Sequence, residues 1–293
     1  MLWKKSMGEK LFDGFNVMLL AVAAFVFVYP VWFTVVSSLS DAHAIASGEV
    51  TFWPIGFNLA AYERVFSDPN IWLAYGNTIY YVAAGTAINL ILTTLGAYPL
   101  SRKDLWGRNF VMGMIVFTMF FSGGLIPSYL NVRNLGLFDT RWALLLPGAI
   151  SAFNLIVMRT YFQSSIPDGL IESAKIDGAN EFRILGTVVL PLSAPILAVM
   201  TLFYAVGHWN SWFNAMIYLQ DRSLYPLQLI LREILVQSQT NELLSGVNQN
   251  DVVKVSETIK YATIVVATLP ILFIYPFLQK YFVKGVMIGA LKE

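Results

Sequence analysis

The sequence contains no cysteine and only two histidines, His43 and His208. Disulfides, thiolate metal ligands and thiol nucleophiles are therefore excluded, and no H-E-x-x-H pair can be drawn. No G-x-S-x-G elbow occurs. The dipeptide Gly-Lys is also missing, so there is no G-x-x-x-x-G-K-[ST] loop to cradle the phosphates of a nucleotide. Charge is scarce too. Asp, Glu, Lys and Arg make up 13% of the 293 residues, against about 25% in a soluble domain. A net charge of +1 implies no global polyanion partner such as nucleic acid.

What is present is apolar surface. Hydrophobic residues make up 57% of the chain, more than so few charges could cover in water, and an integral membrane protein follows. Charge-free intervals long enough for about 20 helical residues predict an all-α integral membrane protein with six transmembrane helices. They fall near 15–39, 73–100, 109–130, 142–163, 192–219 and 261–283, within a single domain over 1–293. The first apolar run is too long for a signal-peptide core and lacks a small-residue cleavage site, so it is expected to be retained as a span.

Lys and Arg set the orientation. With the N-terminus inside, the inner segments hold 12 of the 19, which predicts that both termini are cytoplasmic. The loop from Ser165 to Pro191 then lies in the cytoplasm. The segments from Ser40 to Asn70 and from Gln220 to Lys260 lie outside, and the second has the length expected of a contact with an external partner.

The 165–191 loop reads SIPDGLIESAKIDGANEFRILGTVVLP. Ser165 is expected to cap a first helix, with Asp168 as the returning acid and Pro167 in the first turn. Gly178 sits where a left-handed C-cap belongs, Asn180 caps a second helix, and Pro191 is expected to end it. Leu170, Ile171 and Ala174 predict the apolar side of the first helix, and Phe182, Ile184 and Leu185 that of the second. The loop leans acidic, with Asp168, Glu172, Asp177 and Glu181 against Lys175 and Arg183. That balance suits a protein partner better than an anionic lipid surface.

ESAKIDGA followed by VVLP resembles the EAA motif of ABC-importer permeases. Glu172, Ser173 and Ala174 match its opening, with Ser173 standing for the first Ala. Gly178 matches its glycine, and Leu190 and Pro191 its end. The stretches SGGLIPSYL (122–130), RWALLLPGAISAFN (141–154), HWNSWFNA (208–215) and QKYFVKGVMIGALK (279–292) are similar to the multiple-sugar permease family. Within it the chain looks like the branch handling oligosaccharides, including uronate-containing ones such as alginate.

The resemblance implies a permease subunit of an ATP-driven, binding-protein-dependent importer, with no ATPase site of its own. It implies a cytoplasmic ATPase dimer that supplies ATP and Mg, a second and non-identical permease subunit, and an extracytoplasmic substrate-binding protein. It also implies that Glu172, Ser173, Ala174, Asp177, Gly178, Ala179, Leu190 and Pro191 form the ATPase-coupling element. The location implied is the bacterial inner membrane, in contact with lipid.

Polar groups at membrane depth are costly and mark candidate substrate paths. Those singled out are Asn77, Tyr80, Asn89, Asn154, Tyr204, His208, Trp209 and Asn210, whose amides, hydroxyls and rings suit a sugar. The plainer reading of each is a bond between helices or a place in the interfacial belt. The competing transporter class is an ion-gradient-driven carrier, which would be expected to bury titratable groups in its spans. The six intervals hold no Asp, Glu, Lys or Arg in their central stretches. No metal site is expected.

Overall fold

The computed structural model describes residues 6–244 and 258–273. These fall into two compact units, one within Met1–Pro69 and Glu233–Leu269, the other centred on Asn70–Arg232. Among the described residues all regular structure is helical.

In the first unit, α1 runs from Met7 to Ser38. Ser6 and Glu9 form a capping box at its start: Glu9 N–H donates to Ser6 Oγ at 3.2 Å, and Ser6 N–H to Glu9 Oε2 at 2.7 Å. At 1.5 Å per residue its 32 residues exceed the roughly 30 Å hydrocarbon layer. The helix starts earlier than the expected 15 because this cap, outside the apolar run, fixes its first turn. After α2 (Ala42–Ala46) and α3 (Ala60–Ser67), the chain enters α4, from Pro69 to Ser101.

Helices α1 and α4 are each long and apolar enough to cross a membrane, and two bent pairs pass the same test together. The third, fourth and fifth predicted intervals are not continuous helices. The third splits into α5 (Arg108–Phe120) and α6 (Leu125–Asn134), bent by 115°. Gly124 causes the break: its φ of +86° is open to glycine and strained for most other residues. The fourth splits into α7 (Trp142–Leu145) and α8 (Ala152–Ser165), with Pro147 and left-handed Gly148 between them.

Ser165 is thus the last residue of α8 and does not cap the following helix. The next helix, α9, spans Asp168–Ile176 and has Pro167 at its cap position, with no side-chain cap. Pro167 holds an extended φ, ψ of −62°, 134°, which starts the helix without a hydroxyl.

The helix α10 (Glu181–Leu192) passes through Pro191 where an end was expected. A wider π turn at Leu185–Val189 lies just before the proline, with Leu190 N–H bonded to Leu185 O. Such a turn relieves the missing donor and the ring clash. The break comes at Ser193, where the chain bends by 85° into α11 (Ala194–Trp209). Pro195 in the first turn of α11 accounts for it, since it lacks the N–H to carry α10 onward and its ring would crowd the preceding turn. Then follow α12 (Phe213–Tyr218), α13 (Leu227–Leu244) and α14 (Thr258–Phe273). The second half of the sixth predicted span and the 279–292 stretch lie outside the described residues.

The main core of the second unit draws on five helices. Ala97, Tyr98 and Leu100 of α4 meet Leu155, Met158 and Phe162 of α8. Ile171 of α9, Ile184, Leu185 and Val189 of α10, and Ile196, Met200 and Tyr204 of α11 complete it. The polar loop is therefore bolted onto the helix bundle by buried aliphatic side chains. Each of these contributes about 1.5–3 kcal/mol relative to an exposed position.

Candidate functional site

The loop predicted to couple is a helical hairpin, α9 and α10, turned at Gly178. Gly178 has φ +77°. Its N–H donates to Lys175 O, and Ala179 N–H donates to Ala174 O, both at 3.0 Å. This is a Schellman closure, which needs the left-handed residue that glycine supplies. Two residues on, Asn180 Oδ1 accepts Arg183 N–H at 2.9 Å and caps α10 as expected.

The hairpin has a packed side and a bare side. Ile171 and Ile184 are buried in the core. Leu170 and Phe182, expected on the apolar faces, point outward instead. Ile176 is 86% exposed and Phe182 79% exposed. Glu172, Ser173, Asp177 and Pro191 are exposed as well, while Ala174, Ala179 and Leu190 pack partly against the core. Among the described residues no cation is bridged to Glu172. The bare side thus joins two large apolar groups with free acidic ones.

A second set of residues holds this hairpin, and the sequence reading missed them. They lie at the end of α4 and just beyond it. Tyr98 Oη donates to Glu181 Oε2 at 2.6 Å. Lys175 Nζ lies 2.8 Å from Glu181 Oε1 and 3.5 Å from Asp104 Oδ2. Lys103 Nζ lies 2.8 Å from Asp168 Oδ2, and Arg102 lies 3.8 Å from both Asp168 and Asp104. Lys175 first, then Tyr98, hold the Glu181 carboxyl below its ordinary value. Lys103 does the same for Asp168. Asp104 is lowered chiefly by its own backbone N–H, with help from Lys175. Glu181 in turn raises Lys175.

The end of α4 that carries these residues is itself tied down. Its last carbonyls have lost their helical partners. Arg159 Nε donates to Leu100 O at 3.0 Å, Gln163 Nε2 to Ser101 O at 3.1 Å and an Arg108 Nη to Arg102 O at 3.2 Å. Two of the three donors are cations at the negative end of a helix dipole. The only sequence signal was the charge run Arg102-Lys103-Asp104 directly after a span.

The membrane-depth candidates divide. Asn89 and His208 meet across α4 and α11, with Oδ1 and Nε2 3.4 Å apart. One helical turn along, Thr93 Oγ1 and Tyr204 Oη bond at 2.6 Å, and Ser151 N–H donates to the same Tyr204 oxygen at 3.3 Å. These four side chains form a polar ladder between helices. Gly85 makes the ladder possible: a Cβ there would overlap the His208 ring. Asn154 is buried on α8, Trp209 packs edge-on against Tyr75, and Asn210 donates to Val206 O of its own helix.

Asn77 anchors the chain after α12. Its Nδ2 donates to Ser223 O at 2.7 Å and Tyr225 O at 3.1 Å, and Tyr81 Oη donates to Leu224 O at 2.8 Å. Tyr80, 40% exposed, carries the Arg141 guanidinium 4.7 Å above its ring. Asp139, in the left-handed region at φ 58°, accepts the N–H groups of Gln220 and Asp221 at 2.7 and 2.8 Å. Among the described residues no group of three or more His, Asp or Glu is placed to hold a metal ion.

Comparison with known proteins gives a consistent result. Residues 2–288 match the model of the family described as binding-protein-dependent transport system inner membrane component. Protein LplC of Bacillus subtilis (strain 168) is 42% identical over 97% of this chain and 95% of its own length. The polygalacturonan/rhamnogalacturonan transport system permease protein YtcP of the same organism is 42% identical over 98% of this chain and 100% of its own. A solved bacterial ABC transporter involved in importing the acidic polysaccharide alginate contains a chain with TM-score 0.84 and 37% identity. The match covers 95% of this chain and 99% of that one.

Proposed function

The chain belongs to the family of binding-protein-dependent transport system inner membrane components, and we propose that it is the permease subunit that moves acidic oligosaccharides inward by coupling to an ATPase through the α9–α10 hairpin. It is an ABC-importer permease, and no phosphate-cradling loop occurs in its sequence. ATP and Mg belong, on this reading, to an ATPase dimer on the cytoplasmic side. A second permease subunit completes the path, and an external binding protein delivers the sugar. Both termini and the hairpin lie in the cytoplasm, in line with the Lys and Arg bias of the inner segments.

One observation carries the coupling role. The hairpin is anchored to α4, α8 and α11 by buried aliphatics, yet it leaves Ile176 and Phe182 bare. Large exposed apolar groups rimmed by polar ones mark a protein contact. The substrate class rests on the relatives, two of which act on acidic polymers by name. Exposed Arg141 and Arg232, stacked on Tyr80 and Trp212, are the cations suited to a uronate carboxylate.

The test is co-expression of the tagged chain with its operon neighbours and purification in mild detergent. Recovery of an ATPase that is lost on changing Glu172 and Ile176 supports the reading. Recovery of the folded chain alone, moving solute in vesicles without ATP, would sink it.

A further inference from the structure

Among the described residues, Glu181 is the one carboxylate that touches both arms of the hairpin and the end of α4 at once. It starts α10, its Oε1 is 2.8 Å from Lys175 of α9, and its Oε2 accepts the Tyr98 hydroxyl at 2.6 Å. Both bonds are charge-assisted and short, the stronger kind. Tyr98 is 5% exposed and its ring belongs to the core that joins the hairpin to the helices. The hydroxyl is the only polar atom of that ring, and it is spent on the loop.

The surroundings of this bond are not filled. An open cleft of about 300 Å³ borders Tyr98, lined by Ser101, Arg102, Phe162, Asp168 and Ile171 among others. A second open cleft, of about 540 Å³, borders it as well, lined by Leu95, Pro99, Leu105, Phe182 and Leu185 among others. Close-packed side chains transmit displacement by contact. Where open clefts border a side chain, fewer packed neighbours share the load and its hydrogen bonds carry more of a displacement.

We propose that Tyr98 is a positioning residue for coupling, whose hydroxyl, through Glu181 and Lys175, makes the hairpin and the inner end of α4 move as one body. Motion driven at the bare side of the hairpin then enters the pore by two routes. One runs directly along the chain from α10 into α11. The other crosses the Tyr98–Glu181 bond into α4, which carries the Thr93 and Asn89 rungs that meet Tyr204 and His208 of α11. The two helices of the polar ladder are thus driven together, where a broken bond would leave α4 joined to the hairpin by apolar packing alone. This inference rests on the coupling role proposed above for the hairpin.

The test uses the whole complex, with partner permease, ATPase and binding protein, reconstituted in proteoliposomes. ATP hydrolysis and oligosaccharide uptake are measured on the same preparation for the wild type, Tyr98→Phe, Glu181→Gln and the double variant. Phe keeps the buried ring, so the fold is retained, and subunit stoichiometry is checked by gel. The expected result is uptake per ATP lowered about tenfold in Tyr98→Phe, the size of one charge-assisted bond, with subunits in wild-type ratio. The double variant should be no worse than the more affected single, because both remove one link.

Uptake per ATP unchanged in Tyr98→Phe would overturn the proposal. So would equal loss of uptake, hydrolysis and assembled complex, since that is what a merely structural hydroxyl would give. If the wild-type chain recruits no ATPase at all, the underlying coupling reading has failed, and that result is seen before any variant is made.

Discussion

The imidazole of His208 lies directly against the backbone of Gly85, so closely that a methyl group on Gly85 would overlap the ring. The contact joins α4 to α11 at the point where His208 Nε2 faces Asn89 Oδ1. Glycine is required here for proximity, not for its backbone angles. Gly85→Ala should therefore displace His208 and destabilise the unit by about 1–3 kcal/mol, the usual range for overpacking. Thermal unfolding in detergent measures it. Gly85→Ala combined with His208→Ala should recover part of the loss. No recovery would mean that some other neighbour meets the added methyl.

Gly178 is required for the opposite reason. Its Cβ would meet open space, but its φ of +77° costs a non-glycine residue about 1–2 kcal/mol. A β-branched residue suffers most. Gly178→Val should abolish uptake while membrane insertion and total protein stay near wild type. Uptake at the wild-type level would show that the hairpin tolerates another turn.

The bare face can be probed directly because the chain has no cysteine. Ile176→Cys should react fast with a maleimide in the purified chain and become protected when the ATPase is bound. An equivalent thiol at buried Ile184 should be slow in both. Equal labelling at position 176 with and without the ATPase would place the partner elsewhere.

The charge network sets a pH window. Asp104, Asp168 and Glu181 are all held below their ordinary values. Their stabilisation is complete above the usual carboxylate range, about 4, and is lost as pH falls through the depressed native values. Lys175 is raised. Its contribution is complete below its ordinary value of about 10.5 and is lost as pH rises through the higher native one. A nitroxide at position 176 should thus report constant hairpin mobility from about pH 5 to 10, with loosening only at the extremes. A transition near neutrality would assign control of the hairpin to a different group.

Local features of the hairpin were legible in the sequence, and distant ones were not. Gly178 and Asn180 announce a turn and a cap because each acts within three residues of itself. Ser165 misled because its hydroxyl cap is optional where proline already fixes the first φ. Pro191 misled because the remedy, a widened turn at 185–189, leaves no mark in composition. Charge-free intervals located apolar stretches well but said nothing about continuity, so three of the intervals proved to be broken helices. The Tyr98–Glu181 bond spans 83 positions, and no spacing rule reaches that far. The outward face of Phe182 was not legible because helical periodicity cannot tell an apolar residue in the core from one left exposed.

The widened turn at Leu185–Val189 fixes the angular phase between loop and span. Each residue advances a regular helix by about 100°. One residue accommodated in a single wide turn lets Glu181 look toward Tyr98 while Ile196, past the bend, still faces the core. Deleting a single residue from 185–189 would let a regular helix form with better local geometry and swing Glu181 away from its partner. The stretch behaves as a gear tooth: its value lies in being one unit out of step, and a locally improved helix would run out of mesh.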